Sequence, residues 1–538
     1  MRSTAFVLAI AAAAGAGTMI VELAAVRLLA PWFGTSSGVW TNVIGVILLA
    51  LALGYLLGAR LSQRPAPARR LGATLLLAAA FTAWLPALAP RVAEFFLPQG
   101  MALDEVAALM TWGSLAASIV LFLPAALCLG CVGPLAVEAL QTSRGGHAGD
   151  AGGRVLCAST LGSLAGTFST THLLLPYAGL TRTFLGAAVV LGATGLAARV
   201  GGKGSSPATV AALALLAAGL TFSRLRMPDP PEGMRVLEER QSAYQSIRIL
   251  AEPGESGLRR LAVNESLDSF QSVWSPAKGP LPAGYYYNLF ALPPWWSAAD
   301  GDTGPRDWRL LTLGLGAGST VRVLEGALPK GARLQSLGVE IDPAVVELGR
   351  RHFELEESAE RVVLAGVDAR AVLALDLEPF DEIVLDAFAN NMEVPAHLSS
   401  LEFFHELHGA LRPGGWLAVN AAGFGLEDPV VDALARTLAE SWERDVLIVR
   451  VPFSRNCVLF ARRDGELCLP GRPGWRTDHP GLAELTPLFE LEGAWRLVEP
   501  GGDDNPKGPA PLTDDRNPID RLQLESIRNG RSAWLEPS

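Results

Sequence analysis

The chain has 538 residues, half of them hydrophobic and only 18% charged. A soluble chain of this size carries about 25% charged residues, so this composition and a mean hydropathy of +0.29 point to a membrane portion. A net charge of −10 gives no sign of a nucleic-acid binder. The odd set Cys128, Cys131, Cys157, Cys457 and Cys468 implies no disulfide framework.

The first 225 residues are apolar, with charge-poor runs at 3–21, 38–59, 71–90, 106–137, 155–180, 183–198 and 204–223. Most reach the ~20 residues that cross a bilayer as helix, which predicts about seven transmembrane segments. The first is read as a span rather than a cleaved signal, because apolar sequence continues past Glu22 and Arg27 and more spans follow. Cys128 and Cys131 sit among Leu and Gly without nearby His or acid ligands, so they read as small packing residues, and no metal site is expected. Glu22 and Arg27 read as a pair facing the bundle interior. Small residues in 156–166, LCASTLGSLAG, suit close helix packing.

Arg60, Arg64, Arg69 and Arg70 crowd one loop, Arg144 and Arg154 another, and Arg199 with Lys203 a third. The positive-inside rule puts these loops and the N-terminus in the cytoplasm. Seven full crossings would then carry the following domain to the far side, against which Arg224 and Arg226 argue. One segment, 183–198 or 204–223, is therefore expected to be re-entrant or interfacial. The expected localisation is a multi-pass integral protein of a bacterial inner membrane with a cytoplasmic catalytic domain.

From about residue 226 the composition turns soluble. Pro228, Pro230 and Pro231 make a stiff linker. Strands are predicted within 235–250 and at 258–263, a small β-rich region. The aromatic stretch 285–296, YYYNLFALPPWW, reads first as core and second as a substrate wall. Strands then alternate with helices. Strands are predicted at 309–313, 334–339, 362–364, 382–385 and 415–420, and helices at 319–328, 343–353, 369–375 and 401–411. This alternation predicts a parallel sheet with helices on both faces. The expected domains are 1–225, transmembrane; 226–300, β-rich; 301–465, Rossmann-like; and 466–538, a C-terminal extension carrying LTDD.

Ligands bind such sheets at the carboxyl ends of the strands. Residues 311–320, LTLGLGAGST, place Gly314, Gly316 and Gly318 at the first strand end, and Glu340, Asp368 and Asp386 stand at or just past later ones. Glycines let a ligand approach the backbone, and an acid about 20 residues on takes the two hydroxyls of a ribose. A dinucleotide prefers the longer GxGxxG with a helix N-terminus for its pyrophosphate, and the third glycine of that pattern is missing here. An adenosine-sulfonium cofactor carries no phosphate and needs only the glycine turn, the ribose acid and an acid for the adenine amino group, for which Asp368 is placed.

The segments VEIDPAVVELGRRHF (339–353), DARAVL (368–373), FDEIVLDAF (380–388), LRPGGWLAVN (411–420) and LTDDRNPID (512–520) resemble the spermidine synthase family of polyamine aminopropyltransferases. SAYQSIRI (242–249) is similar to the family's N-terminal β-domain, and VELAAVRLLAPWFG (21–34) to its membrane-fused branch. The resemblance implies a class I S-adenosylmethionine-type fold. It implies that Glu340 binds the ribose hydroxyls, that Asp368 with Ala369 holds the adenine, and that Gln245 approaches the nucleoside. It further implies that Tyr287 and Asn288 line the cleft, and that Asp386 removes a proton from the attacking amine. A carboxylate suits that task because an alkylammonium must lose its proton before its nitrogen can attack carbon.

The chain departs from the family at two points. Ala317 stands where the family's GGGDG loop has an Asp for the donor's ammonium, and Ala389 where DSSDP has an Asp for the acceptor amine. Asp514 and Asp515, or Glu265 and Asp268, are the candidate replacements, the first pair on a C-terminal segment folded back over the site. The leading functional expectation is a membrane-bound aminopropyltransferase that joins decarboxylated S-adenosylmethionine to an amine such as putrescine. The alternatives are a methyl- or alkyltransferase using intact S-adenosylmethionine on a membrane-held or lipid amine, and a non-catalytic transporter or sensor that binds polyamine or nucleoside. The expected partners are a small-molecule amine and the lipid bilayer, with no nucleic acid; a homodimer is among the assemblies the resemblance implies.

Overall fold

A computed structural model describes residues 4–34, 37–97, 103–144, 147–199, 207–226, 229–231, 233–242, 244–253, 257–263, 270–282, 284–299, 307–388, 393–452, 454–472, 474–475, 477–501 and 510–535. Ala389, Glu265 and Asp268 lie outside these. The chain divides into two compact units, one built on the apolar part and one on the remainder.

The first unit is a helical bundle: α1 (Thr4–Phe33), α2 (Ser37–Ser62), α3 (Pro67–Phe96), α4 (Leu103–Arg144), α5 (Ala148–Ser169), α6 (Gly179–Ala197) and α7 (Pro207–Phe222). Among the described residues, five helical stretches are long and apolar enough to span a bilayer. The fifth, Ala148–Ala197, covers two of the segments predicted separately. A π-helical turn, Thr170–Ala178, leads out of α5, and Gly179, at φ 74° and ψ 174°, breaks the run before α6. Apolar side chains all round give no water-facing stripe, so small residues set the packing. A Cβ on Gly162 would lie 1.9 Å from the Ala12 carbonyl oxygen, and one on Gly166 2.6 Å from that of Ala16. Both contacts advance by four residues on each helix, so α1 and α5 run parallel at close range.

Hydrogen bonds mark the two ends of this bundle. Arg199, just past α6, donates to the Arg69 carbonyl at 3.3 Å. The Leu225 N–H, just past α7, donates to the Thr181 hydroxyl at the start of α6 at 3.4 Å. The chain therefore leaves the bundle at the end of α6 opposite to the Arg69–Arg199 contact.

The second unit begins with a four-stranded sheet in the order β1 (Arg235–Gln241), β2 (Ser246–Ala251), β3 (Arg259–Val263) and β4 (Ser272–Trp274). A 3-10 turn, Tyr286–Ala291, and α8 (Pro293–Ala299) follow. Tyr286, Tyr287, Phe290 and Trp296 are buried in the core. The eight-stranded sheet comes next. Its elements in chain order are β5 (Asp307–Leu313), α9 (Ser319–Ala327), β6 (Arg333–Glu340), α10 (Pro343–His352), β7 (Arg361–Ala365), β8 (Phe380–Leu385), α11 (Leu401–Ala410), β9 (Leu411–Ala422), α12 (Pro429–Trp442), β10 (Val446–Arg450) and β11 (Asn456–Arg462). Two single turns, α13 (Pro480–Ala483) and α14 (Thr486–Phe489), precede β12 (Trp495–Val498) and α15 (Ile519–Leu535).

The strand order is β12-β10-β11-β9-β8-β5-β6-β7. Strands β5 to β9 pair in parallel, whereas β9–β11, β11–β10 and β10–β12 are antiparallel. The chain steps outward from β5 to β7 and then returns to the other side at β8, so the switch point lies between β5 and β8, where open sheets of this kind bind ligands. One expectation is corrected. The helix predicted over 369–375 is a 3-10 turn, Ala371–Ala374, whose entry is held by the Asp368 carboxylate. Within 466–538, β12 extends the large sheet, and buried Ile519 and Leu522 of α15 join its core.

Candidate active site

The glycine loop and three strand ends assemble the site. Gly314 follows β5 with φ at +87°, and a Cβ there would lie 2.3 Å from the Asp386 carbonyl oxygen. Only glycine fits that approach. It lets the loop cross directly beside the end of β8, where Asp386 N–H donates to the Leu313 carbonyl at 2.8 Å. The loop is held from the small sheet as well. Ser272 of β4 accepts from Ala317 N–H at 2.8 Å, and the Ser319 hydroxyl exchanges two 2.7 Å bonds with the Val273 backbone.

Glu340 ends β6 and is buried. Its two oxygens accept from the Gly316 N–H at 2.9 Å and the Asp342 N–H at 3.0 Å. Burial pushes its carboxyl up to about 7, against the opposing pull of those two backbone donors. One carboxylate thus shapes the glycine loop and still has lone pairs for two hydroxyls.

Asp386, just past β8, is also buried. Its Oδ1 accepts from Asn420 Nδ2 at 2.8 Å, and its Oδ2 from the Tyr286 hydroxyl at 3.1 Å. Burial raises its carboxyl to about 7; the Asn420 and Tyr286 bonds oppose this and the nearby Glu340 charge adds to it. Two buried acids that change charge near neutrality, at the switch point of a parallel sheet, are the equipment of a proton-transfer site. The Tyr286 and Tyr287 hydroxyls are 3.0 Å apart, and Tyr287 donates to the Gln271 carbonyl at 3.0 Å. Burial, then the neighbouring Asp386 charge, pushes both phenols well up, so they remain neutral donors.

Asp368 follows β7 and is partly exposed. One oxygen accepts from Arg370 N–H at 2.9 Å, and the other lies 3.0 Å from His397 Nε2. Ala369 is buried beside it.

The other predicted residues fall elsewhere. Asn288 is buried, with both ends of its amide bonded to the Leu281 backbone at 2.7 and 2.8 Å. It secures a loop and does not offer its amide to a cleft. Asp514 is bound bidentately by Arg370 at 2.8 Å and accepts from Ser400 at 2.6 Å. That pairing with Arg370 lowers its carboxyl below the ordinary range. The LTDD segment does fold back on the sheet, through Leu401 N–H to the Leu512 carbonyl at 2.8 Å. It docks on the Asp368 side, however, and Asp514 there answers a guanidinium of the chain itself. Asp515 is exposed. Gln245 stands in the turn between β1 and β2, bonded to Ser242. Ala317 packs in an apolar cluster with Val345, Leu348 and Phe353. Its side chain faces α10, so an ammonium-binding acid at this position would be ringed by hydrocarbon. Tyr286, Asn420, Ser272 and His397 belong to the site and were not foreseen. Asn420 sits inside LRPGGWLAVN, where its strand parity with Trp416 and Ala418 was the available signal. Among the described residues no group of His, Cys, Asp and Glu is arranged to hold a metal ion.

A mostly parallel sheet with a glycine loop, a buried acid at the end of β6 and another just past β8 at the switch point has the arrangement of the class I S-adenosylmethionine-type fold. Sequence comparison gives similar proteins. The chain is 29% identical over 283 residues to a probable polyamine aminopropyl transferase of Bifidobacterium longum, covering 50% of this chain and 59% of that protein. It is 35% identical over 140 residues to polyamine aminopropyltransferase 2 of Pseudomonas aeruginosa, covering 25% of this chain and 39% of the relative. A probable spermidine synthase of Corynebacterium glutamicum aligns in structure with a TM-score of 0.37 and 18% identity, over 50% of this chain and 91% of the other. No family model matches. The chain is thus similar to proteins named polyamine aminopropyltransferases, and it spans 59% and 39% of these two curated relatives' lengths.

Proposed function

We propose that the chain is a multi-pass membrane transferase that moves an aminopropyl group from decarboxylated S-adenosylmethionine to an amine such as putrescine. The observation that carries this reading is the buried Asp386, raised to about 7, beside the glycine loop and Glu340. Glu340 and Asp368 with Ala369 hold the nucleoside, and Tyr287 walls the acceptor side. Asp386 takes the proton from the acceptor ammonium. The freed nitrogen pair forms the new N–C bond as the C–S bond breaks, and that pair stays on sulfur as a neutral thioether. The sulfonium brings its own leaving group, so the chain's task is alignment and deprotonation. The helices α1–α7 form the membrane anchor.

A second reading is supported by Ala317. With no carboxylate at this loop position and an apolar cluster around it, the donor's ammonium lacks the partner that the family places there. Intact S-adenosylmethionine, giving up a methyl or another alkyl group to a membrane-held amine, then fits the same Asp386 and Glu340. Purified protein offered each donor with putrescine, spermidine or a lipid extract, with products read by mass spectrometry, separates the two. The expected result is methylthioadenosine with a propylamine-extended amine, abolished in Asp386→Asn. S-adenosylhomocysteine with a methylated product overturns the first reading for the second. Binding without turnover of either donor overturns both.

A further inference from the structure

Asp386 is the end of a hydrogen-bond chain that runs across the sheet. Ser454 Oγ donates to Asn456 Oδ1 at 2.8 Å, Asn456 Nδ2 to Asn420 Oδ1 at 2.8 Å, and Asn420 Nδ2 to Asp386 Oδ1 at 2.8 Å. In the antiparallel pair β9–β11, Asn420 stands opposite Val458, and Asn456 opposite Ala422. Asn420 and Asn456 are therefore diagonal neighbours on one face, the arrangement that lets side chains interact across strands. Every donor in the chain points toward Asp386. With Asp386 ionised this order is the self-consistent one: turning the Asn420 amide round would put its oxygen against the carboxylate and its NH2 against the Asn456 NH2.

We infer that Asn456 is a positioning residue for the reaction: by bonding the Asn420 oxygen it keeps the Asn420 NH2 aimed at Asp386 and so favours the ionised carboxylate. Amides do not relay protons at neutral pH, so the chain acts as an oriented dipole rather than a conduit. The groups that face Asp386 from the packed elements are Tyr286 and Tyr287 from the 3-10 turn and Glu340 from β6. The tyrosines stay neutral and Glu340 opposes ionisation, so the asparagine chain acts in the direction a base requires. Asn456 is only partly buried at the start of β11, which makes its replacement tolerable to the fold.

The inference rests on Asp386 as the base, and its test separates the two. The readout is the infrared carboxylic-acid stretch of Asp386 in the full-length detergent-solubilised protein, assigned by its loss in Asp386→Asn and followed against pH. In Asn456→Ala the stretch is expected to persist about one pH unit higher, the size of one charge-assisted hydrogen bond. The acid limb of the pH–rate profile should move up with it. Asn456→Asp, equal in size and reversed in polarity at the contact, should shift both further. In an Asn420→Ala background, Asn456→Ala should add nothing, because the effect travels through Asn420. An unmoved stretch in Asn456→Ala, or additive shifts in the double variant, overturns the inference. Turnover that survives Asp386→Asn with an unchanged pH profile overturns the base assignment instead, and leaves the titration to judge Asn456.

Discussion

Asp386 and Glu340 are placed for chemistry at the expense of stability. Each carboxyl is held near 7 by burial, against ordinary values of 3.8 and 4.5. Folding therefore favours the protonated forms. The stabilisation is full below the unfolded values and is lost as pH rises, until the folded groups ionise near 7. Removing the charge should recover what is lost. Asp386→Asn is expected to raise stability at pH 8 by about 2–4 kcal/mol and to change little at pH 4, read as chemical-denaturation midpoints at the two pH values. A destabilised variant at pH 8 would mean that the carboxylate is better paired than its surroundings indicate. Glu340 has a second consequence. In the proposed role its ionised form accepts two ribose hydroxyls more strongly than the neutral acid does, so donor affinity should fall as pH drops through about 7. Glu340→Gln should bind the donor weakly at every pH, which calorimetry with methylthioadenosine would measure.

At the scale of elements, the glycine loop makes the sharpest demand on the chain. Gly314→Ala sets a Cβ 2.3 Å from the Asp386 carbonyl oxygen at a positive φ, so the loop and the end of β8 must separate. A loss of more than ~2 kcal/mol together with loss of donor binding is expected. Gly409, near the end of α11, meets nothing within 4 Å, and Gly409→Ala should stabilise by up to ~1 kcal/mol. Thermal melts of the pair test whether the loop's glycines answer to geometry rather than to composition. The same contrast explains what could be read in advance. The alternation of strands and helices, the glycine loop and its three following acids are local patterns, and each predicted strand has a counterpart within a few residues, whereas β4, β10, β11 and β12 had no prediction. What escaped were partners brought together by pairing at long range. Tyr286 reaches Asp386 from 100 residues away, and Asp514 meets Arg370 from 144. The resemblance implied a cleft position for Asn288, whereas its amide is bonded to the Leu281 backbone, a contact with no sequence signature. The helix expected after Asp368 is a single 3-10 turn, Ala371–Ala374, entered through the Asp368 bond to the Arg370 N–H.

For the whole molecule, the proposed membrane placement turns on which face the proposed catalytic part shares. The bundle constrains the answer through its own ends. The start of α3 and the end of α6 meet at the Arg69–Arg199 bond, whereas Leu225 leaves beside Thr181 at the other end of α6. Epitopes placed within residues 62–66 and after residue 535 are therefore expected to be accessible from opposite faces of sealed vesicles. With the arginine-bearing loops in the cytoplasm, that result corrects the cytoplasmic placement expected from an even number of crossings. Any donor would then have to be supplied on the far face. Access to both epitopes from one face would instead make α7 the helix that fails to cross. Its 16 residues rise about 24 Å, short of a hydrocarbon core of about 30 Å, and a turn back within the bilayer would return the catalytic part to the arginine side. The two results assign different donor pools to the same Asp386 and Glu340, so sidedness must be read before a failure to turn over donor in cells is counted against the chemistry.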